Sequence, residues 1–242
     1  MLIIEGTAAL RQQISDWRQA GDRIALVPTL GNLHGGHQSL MQLARRSADR
    51  VVVSVFVNPT QFGLGEDYEN YPRTLESDRA KLMEVQVDAL FTPPVSEVYP
   101  NGHEASTHVE VPGISDILCG AFRPGHFRGV ATVVCKLLSM AQPDTAVFGE
   151  KDWQQLMVIR HMVEDLSLPV DIQGAPTVRE DDGLAMSSRN AYLSPAARQR
   201  ALVLWKSLQL AEKLTAAGER DARIIAGKME QVVLEAEDAR ID

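Results

Sequence analysis

Two histidines three residues apart, in the run His34-Gly35-Gly36-His37, are the side chains of this sequence with the clearest capacity for chemistry. They lie in a glycine-rich stretch, residues 28–37, which follows an apolar run and precedes a helical pattern. Glycines let a backbone approach a ligand closely, and a helix N-terminus presents unpaired N–H groups and positive charge to an anion. The pattern favours a phosphate-binding turn, while half of a metal site and a structural histidine pair remain open from these residues alone.

Two other loops with unusual polar residues follow predicted strands. Residues 58–61 follow the apolar run 51–57, and residues 149–152 follow a strand predicted over residues 144–148. Ligands of parallel sheets bind beyond the carboxyl ends of the strands, so we expect these loops and residues 28–37 to line one crevice. The histidine run is neither a Gly-x-Gly-x-x-Gly turn nor a Walker loop. Histidines that donate to a phosphoryl oxygen indicate nucleotidyl transfer, which depends on positioning and charge neutralisation.

Other side chains extend this hypothesis to a substrate and to the rest of a nucleotide. Gln61 and Gln155 offer amides that suit a small molecule with hydroxyl and carboxylate groups, although ordinary surface glutamines remain the alternative. Residues 187–189 (Ser-Ser-Arg) lie on a glycine-containing loop and suit a phosphate clamp, meaning a segment that folds over the nucleotide phosphates. A helix N-cap beside a surface charge is the alternative for the same three residues.

The elements that must position these loops alternate along the chain. Apolar strand-like runs and helical patterns succeed one another as far as residue 178, interrupted by an irregular stretch over residues 92–113 that contains a strand-like patch at 107–111. This alternation predicts an α/β fold with a doubly wound, Rossmann-like parallel sheet. A polar loop and helices predicted at 195–214 and about 221–236 follow. We therefore expect two domains, residues 1–178 and a smaller, mainly helical domain over residues 179–242.

Composition and charge exclude several classes of protein. The formal net charge of −8 and a pI near 5.3 argue against broad binding to nucleic acid or to an anionic membrane. No targeting segment or membrane-spanning apolar run is visible, so we expect a cytoplasmic protein. Cys119 and Cys135 lie far apart in apolar surroundings, which predicts buried free thiols.

Six ordered sequence blocks together carry a resemblance to a known family. They are residues 27–37, 56–62, 71–74, 123–127, 148–152 and 186–189. With these blocks the chain resembles the pantothenate synthetase (pantoate–β-alanine ligase) family of the His-x-Gly-His nucleotidyltransferase superfamily. The resemblance implies that ATP and pantoate form an enzyme-bound pantoyl adenylate and pyrophosphate, and that β-alanine then attacks the adenylate to give pantothenate and AMP. It also implies Mg²⁺ and a homodimer.

The resemblance also implies a role for individual residues. ATP would be bound by Leu30, Gly31, Asn32, Leu33, His34, Gly35, Gly36, His37, Gly149, Glu150, Lys151, Asp152, Val178, Met186, Ser187, Ser188 and Arg189. The catalytic residues among them would be His34, His37, Lys151, Ser187, Ser188 and Arg189. Gln61 and Gln155 would hold pantoate. His37 would donate to the charge that develops at the phosphate, and the metal ligands stay unassigned.

The chain departs from the family pattern at several points. Leu30 and Thr60 stand where methionine is usual, and Lys81 stands where some members have a glutamine near the metal. Asp78 remains a candidate metal contact. The chain ends before family members usually do, so we expect a truncated second domain. Two other functions stay open, namely an adenylyltransferase that acts on another small acceptor and a non-catalytic nucleotide-binding protein.

Overall fold

A computed structural model describes residues 1–63, 65–237 and 239–241 of the chain. The chain divides into two compact units, Met1–Pro176 and Thr177–Asp242. The strands of the first unit are β1 (Leu2–Ile4), β2 (Ile24–Thr29), β3 (Arg50–Val55), β4 (Ala89–Phe91), β5 (Thr145–Gly149) and β6 (Asp171–Ala175). Its helices are α1 (Thr7–Gln19), α2 (Gly35–Ser47), α3 (Leu75–Glu84), α4 (Val95–Val98), α5 (Cys119–Phe122), α6 (His126–Ala141) and α7 (Trp153–Asp165). Asp238 and Asp242, which the second predicted domain includes, lie outside the described residues.

The six strands form one parallel sheet in the order β1-β4-β3-β2-β5-β6, which confirms the predicted doubly wound α/β fold. Alternate residues of β2 point to opposite faces: Ile24 and Leu26 join one hydrophobic cluster, Ala25 and Val27 the other. Because helices cover both faces, the central strands are apolar throughout rather than alternating. That continuous apolar character is what made them recognisable in the sequence.

Strands β2 and β5 pair along only part of their length. The register between β2 and β3 runs through all six residues of both strands, whereas β5 pairs with β2 only at Ala25 and Leu26. Beyond Leu26 the carboxyl ends of β2 and β5 diverge. The strand order also reverses here, because the chain passes from β2 through β3 to β4 and then returns to the other side of β2 as β5. Such a switch point opens the crevice in which doubly wound sheets bind ligands.

Pro28, the first residue of the glycine-rich stretch 28–37, lies inside strand β2. The Thr29 carbonyl accepts a hydrogen bond from the Phe56 N–H on the β3 side, and the Ile24 carbonyl accepts one from Asp144 on the β5 side. Since successive residues of a strand direct their main-chain groups to opposite sides, Pro28 faces β5. Pairing with β5 has already ended at this level, so the absent N–H removes no sheet hydrogen bond.

The second unit holds the segment predicted to contact phosphate. Its helices are α8 (Pro195–Ala201), α9 (Val203–Ala216) and α10 (Ala222–Leu234). The single helix predicted over residues 195–214 is wrong, because a tight turn at Leu202, whose N–H bonds to the Gln199 carbonyl, separates α8 from α9. Residues 178–186 form a small hairpin that Arg198 ties down through Glu180 and Asp182.

The strand-like patch at residues 107–111 forms no strand, in keeping with the irregular stretch predicted around it, and the Val109 N–H donates to the Thr132 hydroxyl of α6 at 2.9 Å. The prediction that both cysteines are buried is wrong. Both cysteines are free, but Cys119 is exposed and Cys135 is half-buried. In the described part of the chain, no helix combines the length and the apolar character that crossing a membrane requires.

Gly129 on α6 provides a test of how tightly this helix packs on the loop after β3. A methyl group added at Gly129 would lie 2.2 Å from the Thr60 carbonyl oxygen. We expect Gly129→Ala to lower the free energy of unfolding by about 2–3 kcal/mol, because the loop or the helix must shift. Gly227→Ala in α10 is the control, since a methyl group there meets no atom within 4 Å. Urea unfolding that shows equal stabilities for the two variants would contradict this packing.

Candidate active site

The loop between β2 and α2 is held by a buried carboxylate from α3. Gly31 and Asn32 both have positive φ, +88° and +49°, which turns their neighbouring N–H groups inward. Asp78, 1% exposed, accepts hydrogen bonds from the N–H groups of Asn32 at 2.9 Å and Leu33 at 2.8 Å. The Thr74 hydroxyl donates to the same carboxylate at 3.2 Å. Asp78, proposed from the sequence as a metal contact, therefore fixes the loop conformation.

Lys81, one turn further along α3, contacts the same loop. Its ammonium group donates to the Leu33 carbonyl at 2.6 Å. A side chain at Gly31 would be strained by the positive φ and would meet the Asp78 carboxylate at 3.2 Å. Contacts with α3 thus fix two N–H groups and one carbonyl of this loop, and Gly31 allows the loop to approach that helix closely.

The side chains of His34 and His37 both accept hydrogen bonds from backbone N–H groups at the start of α2, in a capping-box arrangement. His34 is the N-cap, and its Nδ1 accepts from the Gly36 N–H at 3.1 Å, while Nδ1 of His37 accepts from the His34 N–H at 3.2 Å. A neutral imidazole that accepts at Nδ1 carries its proton on Nε2. Both rings, 4.1 Å apart at their centroids, are therefore set as Nε2–H donors at a helix N-terminus.

His37 is held in its neutral form. Burial, followed by the electrostatic effects of His34, Lys151 and Lys81, lowers its pKa from 6.5 to about 3. A neutral ring keeps the Nδ1 lone pair that the His34 N–H requires. His37 is consequently a hydrogen-bond donor at neutral pH and not a proton donor, which sharpens the role predicted from the sequence.

The loop after β5 lies beside the His37 ring. The sequence predicts this proximity, since both loops follow the carboxyl ends of strands in one parallel sheet. Lys151, in the 3-10 turn Glu150–Asp152, is close enough to His37 to lower the pKa of that ring. Gly149 packs towards Leu40 of α2, with 3.9 Å between an added methyl group and Leu40 Cδ2. Lys151 also pairs with Asp152 at 3.6 Å, and the two side chains are 39% and 60% exposed. Two histidines and a lysine from separate loops thus converge on one crevice.

Gln61 is oriented by a fully buried asparagine. Asn58 Nδ2 donates to Gln61 Oε1 at 3.0 Å and to the Gly129 carbonyl at 3.2 Å. Asn58 Oδ1 accepts from the hydroxyls of Thr60 and Tyr99 at 3.0 and 2.8 Å. The Thr60 hydroxyl is therefore engaged in this network. The bond from Asn58 fixes which end of the Gln61 amide is the accepting oxygen, and it leaves the NH₂ end to act as a donor.

The remaining predicted residues fall into two groups. Gln155 lies half-buried in the first turn of α7, and its neighbour Gln154 instead anchors the 114–119 loop through the carbonyls of Ile114 and Ile117. Val178 and residues 186–189 belong to the second unit. There Ser187 caps the 3-10 turn Ser188–Tyr192 by accepting the Arg189 N–H at 3.2 Å, so the capping role is present. Their contact with a nucleotide stays a prediction.

Sequence patterns alone do not reveal the residues that support this site. Asn58, Tyr99 and the pair formed by Glu66 and Arg123 were not singled out, and Lys81 was noted only as a departure from the family pattern. An asparagine before a proline at the end of a buried strand is a recognisable turn signal. No comparable local signal marks Asp78, because its partners lie 45 and 46 residues away.

Comparison with known proteins decides the family. The family model described as pantoate-beta-alanine ligase matches residues 2–242. The chain belongs to this pantoate–β-alanine ligase family. A pantothenate synthetase of Shewanella piezotolerans is 55% identical over 94% of the chain and 81% of that protein. The family assignment makes the chain a ligase of the pantoate–β-alanine type.

Solved structures of this family share the fold. The pantothenate synthetase of Thermus thermophilus superposes with a TM-score of 0.91 at 48% identity, over 98% of this chain and 84% of that one. A pantoate–β-alanine ligase from Francisella tularensis, complexed with beta-gamma ATP and β-alanine, gives a TM-score of 0.79 at 36% identity, over 96% and 86% of the two chains. The ligands of that complex are those expected from the sequence for a ligase of this family.

Proposed function

We propose that this ligase joins pantoate to β-alanine in two steps through an enzyme-bound pantoyl adenylate. The observation that carries the proposal is the reciprocal pair of His34 and His37 at a helix N-terminus. Each Nδ1 accepts a backbone N–H, which leaves the ring proton on Nε2, and Lys151 lies close to His37. Fixed donors and a lysine suit a phosphate whose negative charge is redistributed during reaction. The family assignment supplies the substrates.

In the first step, a carboxylate oxygen of pantoate attacks the α-phosphorus of ATP. The new P–O bond forms as the bond to the bridging oxygen breaks, and pyrophosphate leaves with that electron pair. His37 Nε2–H donates to a phosphoryl oxygen as charge develops, His34 holds the neighbouring phosphate, and Lys151 balances their charge. No proton moves from the His37 imidazole, because the pKa of this ring is far below neutrality.

In the second step, the uncharged amine of β-alanine attacks the acyl carbon of the adenylate. The C–N bond forms, the bond from carbon to the phosphate oxygen breaks, AMP leaves with that electron pair, and the nitrogen releases a proton to solvent. In both steps we assign the binding of the pantoate part of the molecule to the side-chain amides of Gln61 and Gln155. Val178, Met186, Ser187, Ser188 and Arg189 are proposed to bind the nucleotide from the second unit.

Mg²⁺ remains part of the proposal with a restricted role. The residues that the structure describes contain no group of three or more His, Cys, Asp or Glu side chains able to hold a metal, and Asp78 is used by the loop. These described residues thus form no all-protein cage for a cation, but Mg²⁺ does not require one, since it is usually held by one or two carboxylates together with substrate phosphates. Mg²⁺ is expected to arrive with the triphosphate. The proposed homodimer rests on the family resemblance, and sedimentation analysis tests it.

The function is tested by product formation from defined substrates. We expect AMP to appear only when ATP, pantoate and β-alanine are all present, with pantothenate in equal amount. When ATP and pantoate are present without β-alanine, pyrophosphate release should be limited to one turnover, because the adenylate stays bound. A stable adenylylated product released without β-alanine would instead identify an adenylyltransferase. ATP binding without pyrophosphate release would identify a non-catalytic protein.

Gln61 provides a test of the acid site. We expect Gln61→Ala to raise the KM for pantoate by about tenfold, which corresponds to loss of one hydrogen bond to a charged group. The KM for ATP should stay within about twofold. Gln12→Ala on α1, whose amide donates to Asp16 of the same helix, is the control. An unchanged KM for pantoate in Gln61→Ala would remove Gln61 from the acid site.

A further inference from the structure

The ring of His126 is engaged at both nitrogens. Its Nδ1 lies 2.7 Å from the Gln61 carbonyl oxygen, and its Nε2 lies 3.0 Å from Nη1 of Arg123. A guanidinium group only donates, so Nε2 accepts and the ring proton must be on Nδ1. The Nδ1–H therefore donates to the Gln61 carbonyl. The tautomer is opposite to that of His34 and His37.

Arg123 is in turn fixed by Glu66. Its Nε and Nη2 donate to the two carboxylate oxygens at 2.7 and 2.6 Å, a two-bond geometry that sets the guanidinium plane. The pair lowers the pKa of Glu66 and raises that of Arg123. The third donor used by Arg123 is the one that faces His126. A chain of hydrogen bonds thus runs from Glu66 through Arg123 and His126 to the main chain of Gln61.

Gln61 is consequently held at two points. Asn58 orients its side-chain amide, and His126 holds its carbonyl. The first turns of α6 press on the same loop, since Gly129 leaves room for the Thr60 carbonyl. Neither nitrogen of His126 remains for a ligand, so the ring cannot contact substrate without breaking this chain.

We propose that His126 is a positioning residue for pantoate binding, which holds Gln61 through its carbonyl and is itself fixed by Arg123 and Glu66. The inference rests on the proposed contact between Gln61 and pantoate. A misplaced Gln61 loses its hydrogen bond to the acid, while the nucleotide contacts of His34, His37 and Lys151 are made by other loops. The effect should therefore fall on the KM for pantoate and leave the KM for ATP unchanged.

Two substitutions distinguish the contribution of Nδ1 of His126 from that of Nε2. His126→Asn places an NH₂ group near the position of Nδ1 and keeps the donor to Gln61, whereas His126→Gln replaces Nε2 and loses it. We expect the KM for pantoate to rise about tenfold in His126→Gln and to stay within about threefold of wild type in His126→Asn. Thermal unfolding of both variants checks that each is folded.

The KM for pantoate in further variants, and its dependence on pH, distinguish a positioning role of His126 from a purely structural one. Arg123→Ala and Glu66→Ala should each raise the KM for pantoate, and the double variant should show less than the sum of the two effects in free energy. The charged groups around His126 are Arg123, Glu66 and Asp152, and burial is the main factor that lowers its pKa. The KM for pantoate should rise in wild type as the pH falls through the lowered pKa of His126, and should rise less in His126→Asn, because protonation turns Nε2 into a donor facing Arg123.

The outcomes distinguish this inference from the proposed function. Equal KM values for pantoate in His126→Gln and His126→Asn, with Gln61→Ala raising that constant, would overturn the positioning role alone. A rise confined to the KM for β-alanine would show that His126 contacts the amine substrate, which also overturns it. If Gln61→Ala itself has no effect on pantoate, the assignment of the acid site fails instead.

Discussion

Replacing His37 with alanine is expected to slow pyrophosphate release in a single turnover by about 10²–10³-fold, the range found when one fixed donor to a developing oxyanion is removed. The affinity for pantoate should change little, because the lost interaction is strongest in the transition state. The measurement is rapid-quench kinetics with enzyme in excess over ATP. An unchanged rate of pyrophosphate release would contradict the donor role of His37.

His37→Gln is the matched control for this experiment. Its amide nitrogen can occupy the position of Nε2, so we expect it to recover part of the rate. The single-turnover rate of wild type should show no titration of His37 between pH 5 and 8, since the pKa is about 3. A general acid with a pKa near neutrality would give a falling rate over the same interval.

The same low pKa makes a prediction about stability. Between pH 6.5 and about 3, the unfolded chain protonates this histidine and the folded chain does not, so the contribution of His37 to stability falls as the pH falls through that window. Wild type should therefore lose more of its free energy of unfolding between pH 6.5 and about 4 than His37→Gln does. Urea unfolding at the two pH values measures the difference.

The second large effect is expected from Asp78→Asn. An amide in place of the carboxylate directs an NH₂ group at one of the N–H groups of Asn32 and Leu33 that now donate to Asp78. We expect the free energy of unfolding to fall by about 2–3 kcal/mol, because a buried donor is left without an acceptor. The turnover number should fall by about 10²-fold, since the loop carries His34 and His37.

Glu76→Gln on the same helix is the control for Asp78→Asn. Its side chain is 84% exposed and pairs with Arg79 at 3.1 Å, so we expect a change of less than about 0.5 kcal/mol. Urea unfolding and steady-state kinetics of both variants give the comparison. Full activity of Asp78→Asn would show that the loop does not depend on the carboxylate.

The sheet and its crevice could be predicted from the sequence because both depend on local patterns. Buried parallel strands are continuous apolar runs, and the loops at their carboxyl ends are few. The proximity of Lys151 to His37 followed from this topology. The tautomers of the two histidines could not be predicted in this way. They depend on two contacts that only the folded loop makes, from the His34 N–H to Nδ1 of His37 at 3.2 Å and from the Gly36 N–H to Nδ1 of His34 at 3.1 Å.

Residues that act across long sequence separations escaped prediction for a different reason. Asp78 reads as an ordinary acid in the first turn of a helix, and its burial becomes visible only when α3 packs beside the β2–α2 loop. No local pattern predicts the role of His126, because Gln61 and the Glu66 that fixes Arg123 come from a different part of the chain. Single-sequence patterns do not encode these pairings.

Pro28 gives the opening between β2 and β5 a simple chemical basis. Two parallel strands whose main-chain groups match along their length would continue to pair, and the binding crevice would close. A residue without an N–H at the level where pairing ends deprives β5 of the next donor, while the full ladder to β3 is kept. The opening between β2 and β5 thus coincides with a residue that has no N–H to offer, so no sheet hydrogen bond of β2 is left unmade at the mouth of the crevice.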